Sequence, residues 1–541
     1  MFLSLRMLTG LLICLMATTA IAKTTEYHLV VAYQTVNVTG KSVQKIAVNG
    51  QIPGPVLNFT EGDTAIIHVE NKLDQPTSVH WHGLLLPPEM DGVPGLGGFK
   101  AIPAGETFTY QFDLRQNGTY WYHAHSGTQE QEGHYGALIV HPAPDPKIQA
   151  DRDYVIVLSD FSEETGQQIL ANLKKSPHYY NYTQRTVGDF MRDVDQHGWS
   201  SAWQTIKNWG SMRMSPTDLA DVGYDAFLLN GHTHEQNWTG LFSPGERIRL
   251  RFINASAMSF YDVRIPGLKM TVVQADGRYV EPVTVDEFRF GVAETYDVIV
   301  TPTSETAYTI AAESIDRTGF ATGTLAPHLG MRGEMPAHRP RSLLTMADMG
   351  HHHGSHGHHV VSHNQDDLPP SGWAEAGTPI GHKALQYADL RALEPQEDIR
   401  PPSREIEIVL GGNMQRYIWT LNDKKFTDAD FEPIQLQYGE RVRLVFINET
   451  MMAHPMHLHG MFVQLDNGQP AATMPDKHTV NVPPGERYAV LLTADEPGEW
   501  AFHCHLLYHM SSGMMSQVIV AEYGTDLISP ASNHGAHHDH H

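Results

Sequence analysis

A single pattern occurs three times along this chain and limits what it can fold into. Gly62-Asp63-Thr64-Ala65-Ile66-Ile67-His68-Val69-Glu70-Asn71 is matched by Gly245-Glu246-Arg247-Ile248-Arg249-Leu250-Arg251-Phe252-Ile253-Asn254 and by Gly439-Glu440-Arg441-Val442-Arg443-Leu444-Val445-Phe446-Ile447-Asn448. Each copy opens on a glycine turn, alternates polar with apolar residues and closes on asparagine. That is the pattern of a half-buried strand leaving a tight turn. A second turn signature, Pro103-Ala104-Gly105-Glu106, returns as Pro484-Gly485-Glu486-Arg487 in the last copy. At 541 residues the chain exceeds one ordinary core. Spaced self-similarity therefore points to three diverged β units in tandem. Many short strands with Gly/Pro turns predict an all-β chain of Greek-key β-sandwiches.

The units are expected at 23–145, 146–345 and 403–525. Residues from about 163 to 219 are richer in helix formers and are expected to form a helical insertion in or before the second unit. The stretch 346–402 is rich in His, Met, Pro, Gly and acids and reads as a flexible linker. A His-rich tail covers 526–541. At the start, Arg6, the apolar run Met7–Met16 and Ala20-Ile21-Ala22 read as a signal peptide cleaved before Lys23, so the protein is expected to be exported to the periplasm. That run is too short and interrupted to span a bilayer, and no later segment is long and apolar enough. Sixty-one acidic residues against 37 basic ones give a net charge of −24, which argues against a nucleic-acid partner.

An exported protein normally uses cysteine in disulfides. Of the two cysteines here, Cys14 lies in the signal, which leaves Cys504 alone and flanked by His503 and His505. A lone thiolate with imidazoles and a weak thioether is the ligand set of a blue copper electron-transfer site. Along an extended strand, side chains alternate between faces. Cys504 should then serve one metal while His503 and His505 face another, a covalent wire between two sites.

Thirty-four histidines invite chance pairs, so context matters. Four short motifs lie in strand-like apolar or aromatic settings: His80-Trp81-His82, His123-Ala124-His125, His457-Leu458-His459 and His503-Cys504-His505. Period-2 spacing lets both rings of a pair project from one face, to bind one metal or bridge two. His232-Thr233-His234 is read as incidental. The eight imidazoles suffice for three coppers, two of them three-coordinate and one two-coordinate. His454, Cys504 and His509 form a separate His₂Cys set, with Met514 offset suitably for a long axial ligand.

These motifs resemble those of the multicopper oxidases over nearly the whole mature chain. HWHGLLLPPEMDGVPG, YWYHAHSGTQEQEGHYGALIV, MRMSPTDLADV, RIPGLKMTVVQADGRYVEPV and FGVAETYDVIV further resemble the bacterial copper-resistance protein A subfamily. The resemblance implies three cupredoxin domains, with a trinuclear cluster between the first and last. It implies four coppers: type 1 on His454, Cys504, His509 and Met514; type 2 on His80 and His457; and a type 3 pair on His82, His123, His125, His459, His503 and His505. It also implies periplasmic copper tolerance through oxidation of Cu(I), with O₂ reduced to water. Such proteins often carry a twin-arginine leader and methionine-rich repeats. This chain has only Arg6 in its leader, and histidines largely replace the methionines.

Asp91 matches the acid that assists proton delivery in relatives, and its plainer reading is a turn residue before Gly92. Met510 stands where some relatives place a second acid. Met451 and Met452, with Glu449, are candidate ligands for substrate Cu(I), joined by Met346, Asp348 and Met349 of the linker, because thioethers suit that ion. Core packing is the alternative for the methionines. Seven histidines from His351 to His363, among them His352, His353, His356, His358 and His359, and five from His534 to His541, are read as collectors of additional labile copper. The partners are then O₂, a Cu(I) or small phenolic donor, and other periplasmic copper-handling proteins. A laccase-like phenol oxidase and a copper-sequestering protein are the alternatives. Copper nitrite reductase has no use for eight cluster imidazoles, and a redox-inert zinc site has no use for the His-Cys-His wire.

Overall fold

The three repeats are three equivalent strands. Thr64–Asn71, Ile248–Asn254 and Arg441–Asn448 each run parallel to one neighbour (Thr24–Asn37, Arg152–Phe161 and Arg404–Asn413). On the other side each is antiparallel to Thr107–Asp113, Thr295–Val300 or Arg487–Thr493. Each belongs to one sheet of a double-sheet sandwich in this computed structural model. The structure describes residues 23–521 apart from 144–145, 183, 213–214, 218, 342, 346–372 and 374–376. The expected fold class, mostly β with three cupredoxin-like sandwiches and few helices, is what the chain adopts. The signal segment 1–22, Met346, Asp348, Met349, His351–His359 and the tail 526–541 lie outside the described residues.

The closing asparagine has the same task in each copy. Asn71, Asn254 and Asn448 are buried, and each side-chain amide donates to carbonyls of the loop that follows while its oxygen accepts the backbone N–H two residues on. The second turn signature also occurs in all three sandwiches. Glu106, Glu294 and Glu486 carbonyls accept from Asn71, Asn254 and Asn448. The middle copy reads Gly291-Val292-Ala293-Glu294, with Ala293 at φ 68° where Gly105 and Gly485 stand at 79° and 68°. The missing glycine hid this copy in the sequence.

Three helices follow the first strand of the second sandwich: α1 (Gly166–Lys175), α2 (Val187–His197) and α3 (Trp199–Met212). Thr165 with Gln168 and Thr186 with Asp189 form capping boxes that start the first two. The stretch 346–402 is not all linker. Ala384–Leu385 adds a parallel strand beside Glu287–Phe290, and Leu390 is fully buried. An open sheet edge supplies the backbone partners that this polar segment lacks by itself.

The second sandwich buttresses the other two. Arg251 reaches Thr119 of the first sandwich and Asp153 and Asp297 of its own. Toward the third, Lys477 lies between Asp276 and Glu294 at 3.1 and 3.0 Å, all fully buried. Burying three charges is tolerable only because each is paired.

Candidate metal centres

Two clusters of buried imidazoles form, and the alternation of the strand Gly498–Cys504 separates them. This strand is antiparallel to His454–Leu458, with Met456 opposite Cys504 and His457 opposite His503. Beyond Cys504 the short helix α4 (Leu507–Ser511) turns His509 back beside it. Cys504 Sγ is then 3.5 Å from His454 Nδ1 and 3.8 Å from His509 Nδ1, and the two nitrogens are 3.2 Å apart.

The outer nitrogens fix the tautomers. His509 Nε2 donates to Asp221 Oδ2 at 2.8 Å, since a carboxylate only accepts. Thr450 Oγ1 is 2.7 Å from His454 Nε2 and gives its one proton to Asn448 Oδ1, so it accepts from the ring. Both inward Nδ1 atoms therefore carry lone pairs, facing each other beside a sulfur. Burial pushes the Cys504 thiol well above its ordinary range. A cation held by all three would satisfy both lone pairs and stabilise the thiolate. Met514 is buried between the two, its N–H donating to the His509 carbonyl and its own carbonyl accepting from Cys504 N–H. Trp419 stacks on His509 at 3.7 Å.

The larger cluster lies between the first and third sandwiches. The strand His80–His82 pairs with Gly118–His123, and His125 follows just beyond. His125 and His459 bring Nε2 to 3.4 and 3.0 Å from His503 Nε2. The rings of His82, His123 and His505 form a second trio, with centres 5.6, 4.9 and 5.0 Å apart. His80 and His457 remain, with centres 5.9 Å apart.

Six of the eight rings are held from behind. Nδ1 of His80 bonds the Asp91 carbonyl, of His457 the His478 carbonyl, of His503 the Cys504 carbonyl and of His459 the Asp91 carboxylate, at 2.7 to 3.0 Å. His123 Nδ1 is 2.8 Å from Glu130 Oε2. His82 is reversed: its Nε2 faces Thr479 Oγ1 at 3.2 Å, which turns Nδ1 inward. Nε2 of His80, His123, His457 and His505 and Nδ1 of His82 are left buried with no hydrogen-bond partner. Outer hydrogen bonds with orphaned inner nitrogens are the arrangement of metal-ligating histidine. Burial depresses the basicity of His82, His123, His125, His457, His459 and His505 far below the usual range, helped by the neighbouring rings, and puts His503 at about 4. Neutral imidazoles are what metal binding requires.

Asp91 is a turn residue, and it also contacts the larger cluster. It precedes a turn at Gly92 (φ 83°), where an added Cβ would sit 1.8 Å from the Val79 carbonyl, and it bonds two cluster rings. Met451 and Met452 are buried and line a small cavity with Leu219, Phe260, Leu344, Trp373, Ala453 and Pro484. Glu449 is exposed and does not line it. Met510 packs partly buried against the core. His232 is exposed and His234 bonds Thr322, away from both clusters.

Sequence reasoning missed Asp221, Glu130, Thr479 and His478. The His478 ring lies 4.7 Å from His82 and 5.5 Å from His457, a ninth imidazole at the cluster's edge. None of these four belongs to a local pair or repeat; Asp221 and Glu130 lie within MRMSPTDLADV and YWYHAHSGTQEQEGHYGALIV, strings that carry the resemblance without marking either residue's role.

Models of a family described as multicopper oxidase match residues 30–145, 152–328 and 399–523. Copper resistance protein A of Escherichia coli is 46% identical to this chain, over 92% of this chain and 93% of its own. A copper resistance protein A homolog of Pseudomonas syringae pv. tomato is 45% identical, over 92% of each. The solved structure of Fet3p, a multicopper oxidase that functions in iron import, superposes with a TM-score of 0.69 over 92% of this chain and 90% of that one, at 20% identity.

Proposed function

The chain belongs to the multicopper oxidase family, and on that premise we propose that it oxidises Cu(I) in the periplasm, reduces O₂ to water and so confers copper tolerance. The enzyme is an oxidoreductase, and its family uses copper. The proposed count is four: one copper on His454, Cys504, His509 and Met514, one on His80 and His457, and two on His125, His459, His503 and on His82, His123, His505. Copper there supplies one-electron redox chemistry at the first set and the place of O₂ reduction at the other two. Cys504 joins the sets covalently through its own backbone to His503 and His505. Asp91 holds His459 Nδ1 through one carboxylate oxygen, and its second oxygen lies 3.3 Å from His80 Nδ1, so the carboxylate stands beside the cluster where it would assist proton delivery.

The observation that carries the choice of donor is the sealing of the His₂Cys site. His454 and His509 are fully buried and their outer nitrogens are taken by Thr450 and Asp221, so no imidazole edge is open to a phenol. Met451, Met452 and Ala453, which precede His454 in the chain, line a small cavity, and thioethers favour Cu(I). Leu344 and Trp373, which flank 346–372, line the same cavity, which supports a contribution from Met346, Asp348 and Met349. The histidines from His351 to His363 and of the tail serve as collectors of further copper. Among the described residues no helix is long and apolar enough to cross a membrane.

Oxygen consumption by the copper-loaded protein tests this reading, with Cu(I) against dimethoxyphenol as donor and Cys504→Ser as control. Fast uptake with Cu(I), slow uptake with the phenol and none in the variant is expected. A phenol preference would move the assignment to laccase, and no uptake at full copper occupancy would favour sequestration.

A further inference from the structure

The outer face of the first sandwich carries a second kind of metal-ligand constellation, far in character from the buried centres. Glu26 and His28 are two residues apart on the strand Thr24–Asn37 and so share a face. His28 is in register with His68 on the adjacent strand, and His68 with Thr109 on the next. The imidazoles of His28 and His68 stack, with centres 4.5 Å apart and planes at 23°. Their Nε2 atoms converge on one oxygen: His28 Nε2 is 3.1 Å and His68 Nε2 3.0 Å from Glu26 Oε1. Thr109 Oγ1 holds His68 Nδ1 at 2.8 Å, the outer hydrogen bond that orients a ligating ring.

We propose that Glu26, His28 and His68 form a surface site for a divalent transition-metal cation, Cu(II) foremost. The spacing is the reason. Nitrogen and oxygen ligands about 2.0–2.2 Å from a metal and at right angles to each other stand about 3 Å apart, as Nε2 and Oε1 do here. Cis nitrogen and oxygen donors with open positions suit tetragonal Cu(II), which binds such sites more tightly than other first-row divalent ions. With side chains of Glu26 and His28 54% and 72% exposed, water fills the remaining positions. Without a metal both Nε2–H groups donate to Glu26 Oε1, whose two lone pairs accept both, and a cation would take the place of those two hydrogens among the same three atoms, with His68 already oriented by Thr109. The site lies outside the oxidase machinery, and its existence does not depend on the donor proposed above.

Residue-resolved carbethoxylation tests it in the copper-loaded full-length protein. Diethyl pyrocarbonate modifies free imidazole nitrogen, and peptide mass spectrometry reports each histidine separately, so the other histidine tracts do not interfere. With buffered Zn(II) or Cu(II) as probe, His28 and His68 should be protected together, about tenfold at a free metal concentration ten times the dissociation constant. Exposed His232 is the control and should stay reactive. Glu26→Gln should move protection to about tenfold higher metal, the loss of one ligand worth roughly 1.4 kcal/mol. Thr109→Val should move it less, and both variants should consume oxygen normally. Protection of His28 no greater than that of His232 would overturn the proposal, as would protection unchanged in Glu26→Gln.

Discussion

Asp221 of the second sandwich and His509 of the third meet at 2.8 Å with both side chains fully buried. Tyr417 donates to the same carboxylate oxygen at 2.7 Å. The negative charge makes the imidazole a stronger donor to whatever its Nδ1 binds. Asp221→Asn keeps an acceptor but removes that charge, so the reduction potential of the His₂Cys centre should rise. Redox titration of the thiolate charge-transfer band measures it, and an unchanged or lower potential would count against this role. Asp221→Ala should in addition cost about 1–3 kcal/mol, because it leaves buried donors on His509 and Tyr417 unpaired.

The three strand-end asparagines allow a comparison within one chain. Asn71→Ala and Asn448→Ala each remove buried hydrogen bonds and should each cost about 1–3 kcal/mol. Only Asn448 also holds Thr450, which orients His454. Both variants should melt earlier, and only Asn448→Ala should alter the charge-transfer spectrum. Equal spectra would show that Thr450 keeps its place unaided.

Gly92→Ala is a local test of the turn that carries Asp91. A methyl group at φ 83° would enter the Val79 carbonyl, at the residue before His80. The turn must shift and take the Asp91 contacts to His80 and His459 with it. Copper content by atomic absorption should fall at the larger cluster, while the charge-transfer band of Cys504 persists.

Acid sensitivity should be concentrated in the second sandwich. Burial alone would raise Asp262, but Arg289 and Arg317, at 2.9 and 2.6 Å, bring it down to about 2. Because the folded value lies below the unfolded one, this stabilisation is complete above the ordinary 3.8 and is lost as pH falls toward about 2. Asp262→Asn should therefore lower stability at pH 7 by roughly 2 kcal/mol. The gap from the parent protein should close at pH 2 to 3 in urea titrations. A gap independent of pH would rule out this linkage.

What could be read directly from residues was whatever local periodicity encodes. The HxH pairs stand out because strand alternation sends both rings to one face, and the strands ending in Asn71, Asn254 and Asn448 because their turn and alternation recur. The helices α1 and α2 carry their own start signals at Thr165 and Thr186. Contacts between distant segments left no such trace. Asp221 reaches His509 from a loop whose direction only the packed sandwiches determine, and Glu130, though seven residues from His123, returns to it through a loop with no strand or helix period. Ala293 defeats turn recognition because alanine rarely takes a positive φ. The strand Ala384–Leu385 lies in a stretch whose composition argues for a linker, and it pairs only because a sheet edge is there to receive it.

The larger cluster draws His80, His82, His123 and His125 from near the start of the chain and His457, His459, His503 and His505 from near its end. His80, His82 and His123 of the first sandwich already stand together, but the full set of eight rings is assembled only when both ends of the chain are in place. A chain cut short before His503 would keep most of its β-sheets and have an incomplete centre. Occupancy of the complete cluster would thus require the chain through His505, and the bound ions would fasten the first-made part of the protein to the last.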